Sequence, residues 1–372
     1  MNQPAPSSSA PSSSAPSSAP SPVPSPAPSS APPLVPFFSV IPGAQVHEVI
    51  NGKEAEVTRI VEAAYRLHGT GRTVNPDSYF LRFEDRPSSR IIALPASLSG
   101  EEPVHGIKWI SSFPENVAAG IPRASAVLIL NDARTGYPFA CLESSIISAA
   151  RTAASAALAA VELSGQRGGR PARVGFFGTG LIARFIHSYL VGNGFVFDEL
   201  GVHDLSAEHA KDFRGYLERT EQGTVTVHET AEELVRSSDL VVFATTAAHP
   251  HVSDPDWFAH NPLVLHVSLR DLAPEIVLAS HNVTDDIEHC MKANTSLHLT
   301  EQQVGGRGFV AGTLFDVLTG QLVCPPDRPV VFSPFGLGVL DLAVAHHVYG
   351  EVRGRGALHT VPDFFSELKR YG

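Results

Sequence analysis

The residues with the clearest chemical pattern form a glycine turn. Val174-Gly175-Phe176-Phe177-Gly178-Thr179-Gly180-Leu181-Ile182-Ala183 runs an apolar strand into Gly178-x-Gly180-x-x-Ala183 and out into a helix. Gly178 permits a tight turn, Gly180 lets backbone approach a pyrophosphate, and Ala183 is small enough for helix-on-strand packing. Free N–H groups at the helix N-terminus, among Thr179, Leu181 and Ile182, would hold phosphates. The pattern alone is weak; its place between a strand and a helix strengthens it. Asp204 lies 21 residues beyond Ala183 and ends the next strand. It is expected to accept hydrogen bonds from the adenosine ribose hydroxyls. No Arg or Lys follows until Lys211, so the pattern favours NAD over NADP.

Composition limits what else the chain does. The net charge is -11, which argues against a nucleic-acid partner, because phosphate binding draws on clustered Lys and Arg. The few basic residues therefore matter most where they sit singly in a pocket. No run of 18 or more apolar residues is found, so no membrane span is expected. Cys141, Cys290 and Cys324 show no CxxC spacing and read as reduced thiols of a cytoplasmic protein. His249-x-His251 and His346-His347 are the closest histidine clusters. Neither has Cys or carboxylate partners at ligand spacing, so no metal is expected.

The elements that must position these residues follow from pattern. Residues 1–36 are almost only Ser, Pro and Ala and are expected to be a disordered tail. They lack the basic and apolar regions of a secretory signal. Residues 37–150 read as a mixed α/β lobe, with a helix at 54–68 and strands at 78–83, 90–95, 105–111 and 126–132. Asn131 to Gly136 reads as a hairpin turn. An Ala-rich helix is expected at about 142–163. Then strands at 173–177, 199–203, 224–228, 240–244 and 263–267 alternate with helices. That alternation implies a parallel sheet covered on both faces, a Rossmann-type domain over 151–320. After about Gly320 the pattern changes. A strand at 329–333 and a helix at 339–349 are expected to return to the first lobe. The architecture is thus α/β: a Rossmann-type NAD-binding domain inserted in a second, mixed α/β domain, 37–150 plus 321–372.

Several separated segments carry a resemblance. Gly106-Ile107-Lys108-Trp109, Arg151-Thr152-Ala153-Ala154-Ser155, the Gly178 turn and Glu301-Gln302-Gln303-Val304-Gly305 resemble the ornithine cyclodeaminase/mu-crystallin family, over about residues 36–349. Ser89 to Pro95, Gly106 to Pro114, Ile121 to Leu128 and His266 to Leu272 resemble its branch that makes 2,3-diaminopropionate for siderophores and peptide antibiotics. That resemblance implies NAD-dependent oxidation of a diaminopropionate–glutamate conjugate at the glutamate Cα–N bond. Hydrolysis then releases 2,3-diaminopropionate and 2-oxoglutarate. It also implies a homodimer built through the lobe that does not bind nucleotide.

Residue roles follow from the same likeness. Arg90 and Arg151 match arginines that hold substrate carboxylate, and guanidinium suits the task because it makes paired, charge-assisted hydrogen bonds. Lys108 matches the active-site lysine. Near two arginines its ammonium form is disfavoured, so it is fitted to accept a proton or to steer the hydrolytic water. Asp271 matches the catalytic aspartate, at the carboxyl edge of the sheet. Many relatives have small residues before it, whereas this chain has Leu269-Arg270. Arg270 either pairs with Asp271 or reaches a further carboxylate of a larger acidic substrate. Thr245, Thr246 and Ser268 are expected to line the nicotinamide side. Asp341, after Gly336-Leu337-Gly338, is read either as a residue near the cofactor or as a helix N-terminal charge.

Other readings stay open. One is an ornithine-cyclodeaminase-like reaction; the cationic tail of ornithine, which Arg270 would repel, argues against it. A second is an alanine dehydrogenase. A third, of another class, is a non-catalytic NAD(P)- and ligand-binding protein like the mu-crystallins, against which Lys108 and Asp271 argue.

Overall fold

The computed structural model describes residues 37–365, and the Ser/Pro/Ala tail lies outside them. Strands of the first lobe are β1 (Phe38–Ile41), β2 (Thr73–Val74), β3 (Tyr79–Phe83), β4 (Arg86–Leu98), β5 (Val104–Ser112), β6 (Ala124–Asp132) and β7 (Pro138–Glu143). The central strands β4, β5, β6 and β7 pair antiparallel in sequence order. The turn from β6 to β7 is set by Asp132, whose Oδ1 accepts from the N–H of Thr135 at 2.8 Å and its hydroxyl at 2.7 Å. A side chain that satisfies the backbone two or three residues on is why Asp favours turns.

Strands of the second sheet are β8 (Arg173–Phe177), β9 (Glu199–His203), β10 (Thr224–Val227), β11 (Leu240–Phe243), β12 (Leu263–His266), β13 (His281–Thr284), β14 (Val310–Thr313) and β15 (Val330–Phe332). Their order is β10-β9-β8-β11-β12-β15-β13-β14, and every pairing is parallel. The four residues of β11 and the four of β12 are all buried, as a sheet covered on both faces requires. The chain closes with β16 (His359–Val361), which pairs with β1 at the edge of the first sheet.

Two expectations about boundaries are corrected. The strand expected to leave with the tail, β15, instead lies between β12 and β13 of the second sheet. Its three apolar residues satisfy a buried parallel neighbour, and such a short run carries no signal of which sheet it joins. The return to the first lobe therefore comes after residue 332, not 320. The helix Gly338–Gly354 makes it, packing on β4 and β5. The division at residue 150 falls inside one unbroken helix, Ser145–Gln166.

That helix packs against the helices Glu54–Gly69, Leu181–Gly192 and Gly338–Gly354 and against β12. Ala149, Ala150, Ala153, Ala154, Ala156, Ala157, Ala159 and Ala160 are all buried. Small side chains let neighbouring backbones come close on every side. It is long and apolar enough to cross a bilayer by length and composition, but 67% of its most apolar stretch is buried inside the protein. It is a core helix, and it carries Arg151 into the interior.

Candidate active site

Lys108 lies on β5 and faces the helices. Its side chain is 2% exposed, and Nζ donates to Asp341 Oδ2 at 2.7 Å and to Ser148 Oγ at 3.2 Å. Arg151, one turn beyond Ser148 on the same helix, donates from Nε to Asp341 Oδ1 at 3.2 Å. Asp341 is completely buried, and one carboxylate is shared between two cations. Burial pushes the Lys108 ammonium down to about 8; Asp341 opposes the shift and Arg151 adds to it. The expected lowering is present, with burial rather than neighbouring arginine as its main cause.

Gly336 lets Arg151 come in. It has φ +96°, and a Cβ there would sit 2.6 Å from Arg151 Nη1. Its N–H donates to Asp285 Oδ2 at 2.7 Å, and the N–H of Phe335 to Oδ1 at 2.9 Å. A buried carboxylate thus anchors the glycine turn that faces the arginine.

Asp271 forms a second buried centre, at the carboxyl end of β12. Ser268 donates to Oδ2 at 2.5 Å, His251 Nε2 lies 3.0 Å from Oδ1, and His266 Nε2 lies 3.3 Å from Oδ2. The Thr245 hydroxyl donates to Oδ1 as well. Burial favours the neutral acid, but hydrogen bonding to His251 and Ser268 outweighs it and holds the carboxyl well below the usual range, while His266 Nε2 accepts from the Asp271 N–H at 3.1 Å. Thr245 and Ser268, expected at the nicotinamide side, thus spend their hydroxyls on Asp271. Thr246 is exposed.

Leu269 has φ +78°, a conformation that costs a branched side chain about 1–2 kcal/mol. Glycine, which has no Cβ, would carry no such strain there, and this chain has leucine. Arg270 follows. Its guanidinium donates to the carbonyls of Ala293 at 2.6 Å and Asn294 at 3.1 Å, and Asp271 is not among its hydrogen-bond partners. Of the two readings of Arg270, pairing with Asp271 is not what the geometry displays.

The glycine turn has the shape a dinucleotide needs. Gly178 has φ +78°, and a Cβ on it would lie 2.6 Å from the Ala244 carbonyl oxygen. Gly180 caps the helix Leu181–Gly192 with no side-chain hydrogen bond. A Cβ there would meet nothing within 4 Å. The space in front of that helix end is therefore open, and unpaired N–H groups in an open cradle fit a pyrophosphate. Leu181 at its lip is 56% exposed, an apolar side chain that a bound ligand would cover. Asp204 Oδ2 accepts from the Thr179 N–H at 3.0 Å and its hydroxyl at 2.8 Å, so the Thr179 N–H, expected free for phosphate, is spent on the carboxylate, and Leu181 and Ile182 are left to offer theirs. These residues fit NAD.

Arg90 stands on β4 directly opposite Arg82 of β3 and Ser112 of β5. Burial and the charges of Arg123, Arg270 and Arg82 depress its pKa. Lys108 and Ser112 are four residues apart on β5, so Lys108 and Arg90 share one face of the sheet. Arg270 is charge-coupled both to that group and to Asp271. The structure thus joins Lys108 with Arg151 through Asp341, and Arg90 and Arg270 feel each other's charge without a bond between them.

Sequence reasoning left Asp341 undecided and passed over His251 and His266. Asp341 bonds residues 233 and 190 positions away, and no local pattern reports such a contact. The available signal was charge balance: a buried lysine and arginine call for a buried carboxylate.

Comparisons agree with this geometry. The model of the ornithine cyclodeaminase/mu-crystallin family matches residues 43–356. The N-((2S)-2-amino-2-carboxyethyl)-L-glutamate dehydrogenase of Staphylococcus aureus is 28% identical over 314 residues, covering 82% of this chain and 91% of that protein. The solved structure of CmnK is 31% identical with a TM-score of 0.78, covering 88% of this chain and 99% of that one. An archaeal alanine dehydrogenase dimer with bound NAD is 26% identical with a TM-score of 0.77, covering 88% and 99%.

Proposed function

Since the chain belongs to the ornithine cyclodeaminase/mu-crystallin family, we propose that it is an NAD-dependent oxidoreductase that opens an amino acid at a Cα–N bond. Its substrate on this reading is N-[(2S)-2-amino-2-carboxyethyl]-L-glutamate. The conjugate loses a hydride from the glutamate Cα and a proton from nitrogen. Water then adds to the resulting C=N bond, and the products are 2,3-diaminopropionate and 2-oxoglutarate. The observation that carries the reading is the set of cations over one sheet face: Lys108 and Arg90 on that face, Arg151 from the helix above it sharing Asp341 with Lys108, and Arg270 adding its charge to Arg90. A substrate with three carboxylates matches that surface.

NAD, held by Gly178, Thr179, Gly180, Leu181, Ile182 and Asp204, supplies the hydride acceptor when bound. Arg90 and Arg151 take carboxylates and fix the reacting carbon, and positioning of this kind supplies a large part of rate enhancement. Lys108, neutral above about pH 8, accepts the proton from the secondary amine. Asp271, held ionised, orients the nitrogen or the water, and His251 at its outer side is 40% exposed and gives a route for protons to solvent. Arg270 takes a further carboxylate.

The archaeal relative solved as a dimer supports a homodimer here. Three free thiols, Cys141, Cys290 and Cys324, suit a cytoplasmic setting. An alanine dehydrogenase is the second reading, favoured by the same relative. Incubating the protein with NAD⁺ and the conjugate, L-alanine or L-ornithine in turn separates them. The expected result is NADH growth with the conjugate, with 2-oxoglutarate and 2,3-diaminopropionate identified by mass spectrometry. NADH growth with alanine alone would move the assignment to the second reading.

A further inference from the structure

Four arginines converge beside the site, and two of them have no role in the scheme above. Arg82 and Arg90 are direct cross-strand partners on β3 and β4. Arg90 is opposite Ser112 on β5, and the Ser112 hydroxyl accepts from Arg123 Nη1 at 2.7 Å. Residues directly opposite on neighbouring strands project to the same face. Arg82, Arg90 and Ser112 therefore share one face at this end of the sheet, and the hydrogen bond to Ser112 brings the Arg123 guanidinium, from just before β6, to the same place. Arg270 approaches this place from the second sheet's side, feeling the charge of Arg82.

No carboxylate pairs with any of the four among the described residues. The nearby Glu115 is engaged by the hydroxyls of Ser88 and Ser89, and Asp85 pairs with Arg86. Arg82 lies over the Phe80 ring at 4.9 Å, and Arg270 donates to two carbonyls. Like charges directly opposite on a sheet are destabilising. A fold that keeps Arg82 directly opposite Arg90, with the Arg123 guanidinium on the next strand's Ser112 and Arg270 after the positive-φ Leu269, bears a cost that an anionic ligand would offset.

Resting on the reading that the substrate is acidic, we propose that Arg82 and Arg123, with Arg90 and Arg270, form a polycarboxylate subsite. It grips the acidic groups of the substrate remote from the carbon that loses hydride. Arg82 and Arg123 thereby set specificity for substrates with more than one carboxylate over simple amino acids. Arg90 and Arg270 link the subsite to the reacting centre.

The test uses the full chain saturated with NAD⁺ and three inert probes: tricarballylate, glutarate and butyrate. Binding is read by calorimetry. The wild type is expected to prefer tricarballylate over butyrate by at least about tenfold, since each charged hydrogen bond is worth that much. In Arg82→Gln/Arg123→Gln the preference falls at least about tenfold, while NAD affinity reports an intact fold. Arg82→Lys/Arg123→Lys restores part of it, because charge is kept and the paired geometry lost. If the double variant loses NAD affinity, the exposed single change Arg82→Gln decides alone. A wild type without preference, or a variant that retains it, overturns the subsite. Graded binding with no turnover of the conjugate would instead overturn the substrate assignment and leave the subsite standing. Turnover with unchanged kcat/KM in the double variant would do the reverse.

Discussion

Asp341 and Asp271 are both fully buried, and their surroundings differ. Asp341 is held by two cations, Lys108 and Arg151. Asp271 is held by hydroxyls and imidazoles, from Thr245, Ser268, His251 and His266. A carboxylate between cations balances their charge and tunes the lysine. A carboxylate with no lysine or arginine bonded to it keeps its negative charge available to a substrate nitrogen or a water. We therefore read Asp341 as a positioning residue that acts through Lys108, and Asp271 as a residue that acts on the reactants. Two acids on one fold acquire different tasks from their environments.

The contrast is broken most severely at Lys108. Lys108→Met should lower kcat by about 10³-fold, within the range for loss of a general acid or base, with NAD affinity kept. A rise in KM alone, with kcat intact, would assign Lys108 to binding only.

Asp271→Asn should come next, at about 10²-fold in kcat. It should leave the pH midpoint of the remaining activity unmoved, since Asp271 is not among the groups that tune Lys108. His251→Gln should reproduce a small part of that loss.

Asp341→Asn should have the mildest effect at alkaline pH and the clearest signature in the pH profile. Wild-type kcat should rise with pH and level off above about 8, as Lys108 becomes neutral. Asp341 favours the charged lysine, so removing its charge should move the midpoint to lower pH. A midpoint that stays put, or moves up, would dissolve the distinction between the two carboxylates. Thermal unfolding of the variant, read in parallel, separates this from loss of fold, because two buried cations are left with less compensation.

Sequence legibility follows the same division. The strands at 173–177 and 199–203 were readable to the residue, because apolar runs bounded by Gly178 and Asp204 leave little freedom. The glycine turn was legible as a motif, whereas Asp271, Arg90, Lys108 and Arg151 stood out through a family resemblance. Asp341 was not, since an Asp in the first turn of a helix has a sufficient local explanation in the dipole. His251 looked like half of a histidine pair until the fold placed it on Asp271. Arg82 emerges only from strand register and Arg123 only from its bond to Ser112, neither of which any spacing in the chain encodes. The strand β15 was recognised as a strand and placed in the wrong lobe, because three apolar residues do not name their neighbours.

The central claim is that this chain removes hydride from the carbon bearing nitrogen and delivers it to NAD⁺. The most direct measurement follows deuterium from a conjugate labelled at the glutamate Cα. The account predicts label in the reduced nicotinamide and none in 2-oxoglutarate, with turnover slowed by the heavier isotope. Label retained in the amino-acid products, or no reduced nicotinamide at all, would contradict it.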